Sequence, residues 1–371
     1  MDLDLTEEQD MLRELVRGLG TAYAPSEVVR EIEDDATGYP AELWKQLAEL
    51  DLIGLLIPAE YGGSEMSALE GAILYEGLGR SLAPTPHFVS AVMSAGVLLR
   101  AGSDEQKQSL LPRIASGEIV MTTAWLEPHH GFGPEGIALT ATADGDGYVL
   151  DGTKWHVPFA RAADGFVVLA RTDAGVELFT VEGRTDGISM SQQLTIAADT
   201  QYEVTFDGVR VPATARIGGA GAGWATWHDT MLDGIVLLAA QAVGGARFAF
   251  EMTVQYSKDR QQFDKPLGAF QAISHYLADA STTVEGAEIL VHEAAWARAN
   301  GRSIDLLAPM AKLFACQTFR DVTAMGHQVH GGMGFTVECD MQLYFRRAKQ
   351  LQLSWWNDRY LEELIAAQTL D

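Results

Sequence analysis

The sequence predicts an α+β protein in three parts: an N-terminal helical domain over residues 1–117, a central small antiparallel β-domain over 118–214, and a C-terminal antiparallel four-helix bundle over 215–371. Three observations carry this. The first part repeats apolar positions at helical spacing. The middle is cut into short β-branched segments by glycine turns. The last part returns to apolar-periodic runs at or beyond about 25 residues.

Thr6–Gln9 (TEEQ) has the form of a capping box, with Met11, Leu12 and Leu15 behind it at helical spacing. A second helix is expected through Leu43–Leu50, followed by the apolar stretch LIGLLIPAEYGG, which turn residues close. Ser67–Leu78, Pro86–Arg100 and Asp104–Ile114 are again amphipathic. The texture changes near Gly117. Ile137–Ala143, Tyr148–Leu150, Gly165–Ala170 and Val176–Val181 read as strands separated by DGDG, DG and TDAG turns. From about Gly221 come Trp224–Arg260, with Gly244 and Gly245 as close-packing points, then Phe270–Ala299 and Ile304–Val329. Such lengths suit an antiparallel bundle, or one completed by a neighbour.

Composition narrows the function classes. The chain has 371 residues, 47% apolar and 21% charged, which is globular and sufficient for two or three cores. It carries 26 basic and 51 acidic residues, so the formal charge is 26 − 51 = −25. That field repels phosphate backbones and anionic lipid, so nucleic acid and membrane surfaces are not expected partners, and an anionic ligand needs a local basic patch. The two cysteines, Cys316 and Cys339, exclude a disulfide framework and fit a reducing, cytoplasmic compartment. No apolar run reaches the ~20 residues of a membrane span. The acidic start MDLDLTEEQD does not read as a signal peptide.

Several motifs fail on context. GFGPEG (Gly131–Gly136) matches G-x-G-x-x-G, but Pro134 interrupts it and a strand-like segment follows, whereas a dinucleotide fingerprint must open a helix. HEAAW (His292–Trp296) has a tryptophan where a second zinc-binding histidine belongs, and is expected on a helix surface. His327 and His330 lack a carboxylate or cysteine at ligand spacing, which leaves packing or capping.

Two stretches stand out: YSKDRQQFDKPLGAFQAISHYLADA (Tyr256–Ala280) and QVHGGMGFTVECDMQLYFRRAK (Gln328–Lys349). They resemble the C-terminal domain of the acyl-CoA dehydrogenase family. Ile57–Pro84 resembles the family's N-terminal segment, and MTTAWLEP (Met121–Pro128) and LDGTKWHV (Leu150–Val157) resemble its flavin-facing β-domain. The resemblance covers nearly the whole chain in the right order and implies an acyl-CoA dehydrogenase-like fold with FAD as cofactor. It also implies α,β-dehydrogenation of an acyl-CoA thioester, an electron-transfer flavoprotein as acceptor, and assembly as a homo- or hetero-oligomer. A carboxylate takes the Cα proton while the flavin takes a hydride from Cβ, and the base must be desolvated for its pKa to rise toward that task.

The residues can be weighed beside the resemblance. On so acidic a chain a diphosphate needs a fixed cation, and Arg260 in the locally basic KDRQQFDK offers a planar guanidinium. Phe263 offers an aromatic surface and Gln271 an amide. The matching Arg, Phe and Gln of the family contact the flavin of a neighbouring subunit. Gln328, Gly331 and Gly332 match residues at the adenine-side phosphates, where small residues let backbone approach ligand. Singly these are a surface arginine, a core phenylalanine and a C-capping glycine pair; together, at the family's spacing, they read as a cofactor site.

Elsewhere the chain departs from the family. The usual base, a Glu in an E-G-T-like segment, falls on Trp355, and its following Gly on Trp356. An alternative base position falls on Gly234. Asp358 and Asp233 are the nearby carboxylates available for recruitment. A flavin-bonding Thr becomes Leu126, a Trp and a Thr become His156 and Pro158, and Trp155 is placed to stack on the ring after a one-residue shift. Retained cross-subunit residues beside lost base positions lead to the expectation of a base-lacking subunit in a heteromer, as in some bacterial members linked to steroid or unusual-acid catabolism. The alternatives are a same-fold flavin oxidase or dehydrogenase on a non-CoA substrate, with Asp358 or Asp233 as base, and a non-catalytic assembly subunit. Gly234 is further expected to leave room for a bulky acyl group, unless the two tryptophans fill it.

Overall fold

The computed structural model describes residues 5–128 and 131–370; Met1–Asp4 of the acidic start lie outside them. The helical first part consists of α1 (Glu7–Tyr23), α2 (Ser26–Glu31), α3 (Ala41–Glu49), α4 (Ala68–Arg80), a π-helical segment (Phe88–Ser94) running into α5 (Ala95–Ala101), and α6 (Asp104–Ala115). The strands β1 (Met121–Ala124), β2 (Thr140–Asp144), β3 (Gly147–Pro158), β4 (Gly165–Thr172), β5 (Gly175–Glu182), β6 (Ile188–Gln193), β7 (Gln201–Pro212) and β8 (Arg216–Ile217) follow. Then come α7 (Gly223–Asp259), a small hairpin β9 (Gln261–Gln262) and β10 (Lys265–Pro266), α8 (Gln271–Ala299), α9 (Leu307–His330), α10 (Met341–Leu353) and α11 (Asp358–Thr369).

Local chemistry explains the ends. The capping box expected at Thr6 and Gln9 is formed, and the same device starts α4 (Ser67 with Glu70) and α6 (Ser103 with Gln106). Each box satisfies orphan N–H groups at a helix start. In the DGDG turn Asp144 pairs with Gly147 across the β2–β3 hairpin, and Gly145 takes φ 62°, which a glycine adopts without steric cost.

The chain forms two compact units: Met1–Val29, Ser67–Ala83 and Ile235–Asp371 make the first, Arg30–Met66 and Pro84–Gly234 the second. In the second, the sheet order is β6-β7-β3-β2-β4-β5-β8, with β1 beside β4. The sheet is mixed: β4 pairs in parallel with β1 and β2, and the remaining pairings are antiparallel. Phe166, Val168, Phe179, Leu150, Val204 and Phe206 build its core. In the first unit α9 packs against α8, α10 and α11, and α4 against α1 and α8. Gly244 and Gly245 are close-packing points as expected: a Cβ on Gly244 would strike the Glu76 carbonyl, and one on Gly245 the Phe319 ring.

Two expectations need correction. α7 is long and apolar enough to cross a membrane by length and composition, so the absence of a span-like run does not hold; 67% of its apolar window is buried in the protein, which accounts for the hydropathy as core. His292 is not a surface histidine. It is buried, its Nε2 lies 2.7 Å from Glu76 Oε1 on α4, and Glu288 stands near both, itself paired with Arg247. Its neighbour is the acid four residues before it, a helical turn away, not the residue four after.

Candidate active site

In the first unit the ends of α7 and α9 are brought together by a ring stack: Tyr256 lies on His330 with centroids 4.2 Å apart. Arg260 follows Tyr256 by one helical turn, its N–H donating to the Tyr256 carbonyl at 2.9 Å, and Gly331 follows His330 directly. Arg260 is exposed, and its guanidinium has no ion-pair or hydrogen-bond partner among the described residues. Without a counter-ion among the described residues, the planar guanidinium is available to an anionic ligand. Phe263, at the tip of the β9–β10 hairpin with φ 52°, is 86% exposed; its ring meets only the edge of Phe270, 6.2 Å away. Gln271, at the start of α8, and Gln328, in the last turn of α9, are exposed.

Gly331 has φ 64° and ψ −143°, a conformation closed to residues with a Cβ. A Cβ added to Gly331 or Gly332 would meet nothing within 4 Å, so the backbone there faces open space. An unpaired guanidinium, an exposed aromatic face, two exposed amides and bare backbone at one end of the bundle fit a dinucleotide: a doubly charged diphosphate with flat rings at either side.

In the second unit the sequence-predicted flavin-facing residues are tied to one another. The Trp155 N–H donates to the Leu126 carbonyl at 2.9 Å. Lys154 and Glu127, the residues next to them, form a fully buried ion pair of 2.6 Å; Lys154 also donates to the Trp125 carbonyl, and Glu127 accepts the N–H groups of Ala138 and Leu139. Burial pulls Lys154 down to about 8, against the pull of Glu127 the other way. The pairing of β3 with β7 slips by one residue between Lys154 and Val157, and His156 takes φ 51°. This is a β-bulge next to Trp155, and a bulge re-aims side chains. Trp155 is half-buried, its ring edge-on to that of His156 at 6.1 Å.

The positions at which the sequence leads one to expect a base are occupied by other side chains. Trp355 and Trp356 are both buried and both left-handed, with φ 54° and 71°. Two consecutive non-glycine residues there store strain. Lys312, fully buried on α9, holds the turn: its Nζ donates to the carbonyls of Leu351 (2.9 Å), Ser354 (3.0 Å) and Trp356 (2.9 Å). Burial lowers the Lys312 pKa, which the nearby Cys316 and Asp358 oppose. Asp358 opens α11, and its Oδ2 accepts from Gln352 (2.7 Å) and Gln317 (3.3 Å). In the second unit, a Cβ on Gly234 would stand 2.8 Å from Met93 Sδ and 3.1 Å from the Phe88 ring, so the π-helical segment occupies the space that a small residue was expected to leave. Asp233 is ion-paired with Arg100. Sequence reasoning missed Lys154, Glu127 and Lys312. The signal for Lys312 was a single cation in the apolar run LAPMAKLFA.

Helices, a β-sheet unit and a second run of long helices, with an exposed cluster suited to a dinucleotide, define a class of flavin-dependent oxidoreductases. Models of the acyl-CoA dehydrogenase N-terminal, middle and C-terminal domains match residues 6–118, 122–209 and 221–369. The chain is 33% identical to the short-chain specific acyl-CoA dehydrogenase of Clostridium acetobutylicum over 94% of each chain. It superposes on butyryl-CoA dehydrogenase from Megasphaera elsdenii with a TM-score of 0.93 at 28% identity, covering 100% of both chains. A chain of the ChsE4-ChsE5 complex from Mycobacterium tuberculosis gives a TM-score of 0.92 at 28% identity, covering 100% of this chain and 99% of that one. The chain belongs to the acyl-CoA dehydrogenase family and is an FAD-dependent oxidoreductase of the acyl-CoA dehydrogenase type.

Proposed function

We propose that this chain is the base-lacking subunit of a heteromeric acyl-CoA dehydrogenase, cytoplasmic, acting on an acyl-CoA thioester and delivering electrons to an electron-transfer flavoprotein. The observation that carries the proposal is a contrast within one unit: the Arg260 guanidinium is unpaired and exposed, while the base turn is occupied by Trp355 and Trp356 and pinned by Lys312. Bound FAD supplies the hydride acceptor. Arg260 would neutralise its diphosphate, the backbone N–H groups of Gly331 and Gly332 would approach the phosphates, and Phe263 and Gln271 would contact the rest of the coenzyme. The carboxylate that takes the Cα proton comes from the related subunit, because in this chain Asp233 is committed to Arg100 and no carboxylate stands at Trp355 or Gly234.

The experiment is purification of the chain alone and together with a related subunit encoded beside it, followed by flavin quantification and anaerobic addition of acyl-CoA. Flavin and thioester-dependent bleaching are expected only in the complex. Full flavin content with bleaching by the lone chain overturns the proposal. One observation favours a second reading, in which the chain is catalytic by itself, on a CoA or a non-CoA substrate: Asp358 Oδ1 is buried without a hydrogen-bond partner, as a base awaiting a proton would be. On that reading Asp358→Asn abolishes turnover; under the heteromer proposal it does not.

A further inference from the structure

We propose that His327 is a positioning residue of the dinucleotide cradle: its ring is the platform on which Phe335 stacks, and that stack holds the Gly331–Gly334 turn in its ligand-facing conformation. The proposal rests on the reading of Gly331 and Gly332 as cofactor-facing.

The geometry is specific. His327 lies in the last turn of α9 and is 4% exposed. Phe335, which ends the 3₁₀ turn Gly331–Phe335, lies flat on it, with centroids 4.2 Å apart and planes 11° apart. Phe345 of α10 meets it edge-on at 5.0 Å. The turn is seated so closely that a Cβ on Gly334 would come within 3.1 Å of His327 Nδ1. Phe335 is otherwise 70% exposed, so the imidazole is its main anchor.

Neither ring nitrogen of His327 reaches hydrogen-bonding geometry with a partner, although the Gly334 backbone lies alongside. A buried polar group left so costs about 1–3 kcal/mol and calls for a reason. A phenylalanine would offer the same flat platform without that penalty, so what the imidazole adds to the stack is its response to a proton. A neutral ring tolerates the site; an imidazolium would bury two unsatisfied donors. Its cation–π attraction to Phe335 returns only about 0.5–2 kcal/mol, less than those donors cost.

The groups facing His327 are few. From α9 it is His330, whose Nδ1 is committed to the Gly326 carbonyl at 2.8 Å and whose ring lies on Tyr256 of α7. The Gly331–Phe335 turn carries no titratable side chain, and α10 presents Phe345. Burial, and secondarily the charge of His330, keep His327 below the ordinary 6.5, with the Gly334 backbone pulling the other way. A histidine lowered in the folded state contributes fully above 6.5 and loses that contribution as pH falls through its folded value. Acid therefore disfavours the seated turn, and a dinucleotide that binds only the seated turn binds more weakly in acid.

The test measures FAD affinity of the full chain, in the complex that binds FAD, by flavin fluorescence from pH 8 down to 5.5. The wild type is expected to bind FAD measurably more weakly at pH 5.5 than at pH 7.5, by one-proton linkage. His327→Phe keeps a flat ring that cannot take a proton; it should match the wild type within about twofold at pH 7.5 and bind nearly independently of pH. His327→Ala should bind about tenfold more weakly throughout. If His327→Phe retains the wild-type pH profile, or a folded His327→Ala binds as the wild type does, the assignment is overturned. Wild-type protein that binds no FAD, alone or with its related subunit, overturns the cofactor reading itself, so the two failures are distinguishable.

Discussion

The end of the bundle at Arg260 and Gly331 and the turn at Ser354–Asp358 belong to the same unit and were met with opposite outcomes. At the first, side chains are exposed and unpaired, and glycine backbone faces open space. At the second, indoles fill the interior, a buried ammonium takes three carbonyls, and Asp358 is bonded to two glutamines. A site kept for a ligand outside the unit is held open at some cost to self-satisfaction. The turn at Ser354–Asp358 is instead closed mainly by apolar burial of the two indoles and by the Lys312 ammonium, although Asp358 Oδ1 stays without a hydrogen-bond partner among the described residues.

That contrast can be broken most severely at Lys312. Lys312→Met strands two buried carbonyls and a partly buried one and should cost about 3–5 kcal/mol, measured by denaturant unfolding; a loss below about 1 kcal/mol would mean that the turn does not depend on the lysine. Lys154→Met, in the second unit, leaves Glu127 charged and buried, with an expected loss of about 3 kcal/mol. The near-ultraviolet signal of the tryptophans around it should change with it, since Lys154 also anchors the Trp125 carbonyl.

A smaller effect comes from His87, which is buried against the Leu52 carbonyl and lowered by burial to about 4. Its folded value lies below the ordinary 6.5, so its contribution is full above 6.5 and is lost as pH falls toward 4. Comparison of His87→Gln with wild type at neutral pH and near pH 4.5 should show the acid sensitivity of the variant reduced by about 2 kcal/mol; equal sensitivity would contradict the assignment. The smallest effect is expected at Asp233→Asn, which removes a partly exposed ion pair with Arg100 and should cost under about 1 kcal/mol without affecting turnover. A loss of turnover by orders of magnitude there would make Asp233 the base and reverse the contrast.

Much of this was legible in the residues. Helix ends followed caps, the hairpin followed DGDG, and the cradle residues stood in two specific motifs. Two further capping boxes, at Ser67–Glu70 and Ser103–Gln106, were equally readable and passed unnoticed. What escaped were long-range partners. The pairing of Lys154 with Glu127 spans 27 positions, and Lys312 reaches carbonyls 39 to 44 positions on. No local pattern announces such contacts, because they are made by tertiary packing. The π-helical twist of Phe88–Ser94 was hidden for a related reason: its apolar spacing reads as an ordinary helix, and only the fold shows Phe88 and Met93 standing against Gly234.

The account turns on whether the open side chains serve the coenzyme and not the fold. The direct measurement is FAD affinity of Arg260→Ala in the assembled complex, taken alongside thermal unfolding of the flavin-free protein. We expect binding weakened by about tenfold or more, since a charge-assisted contact to phosphate is lost, with the unfolding temperature unchanged. Unaltered FAD affinity would contradict the account.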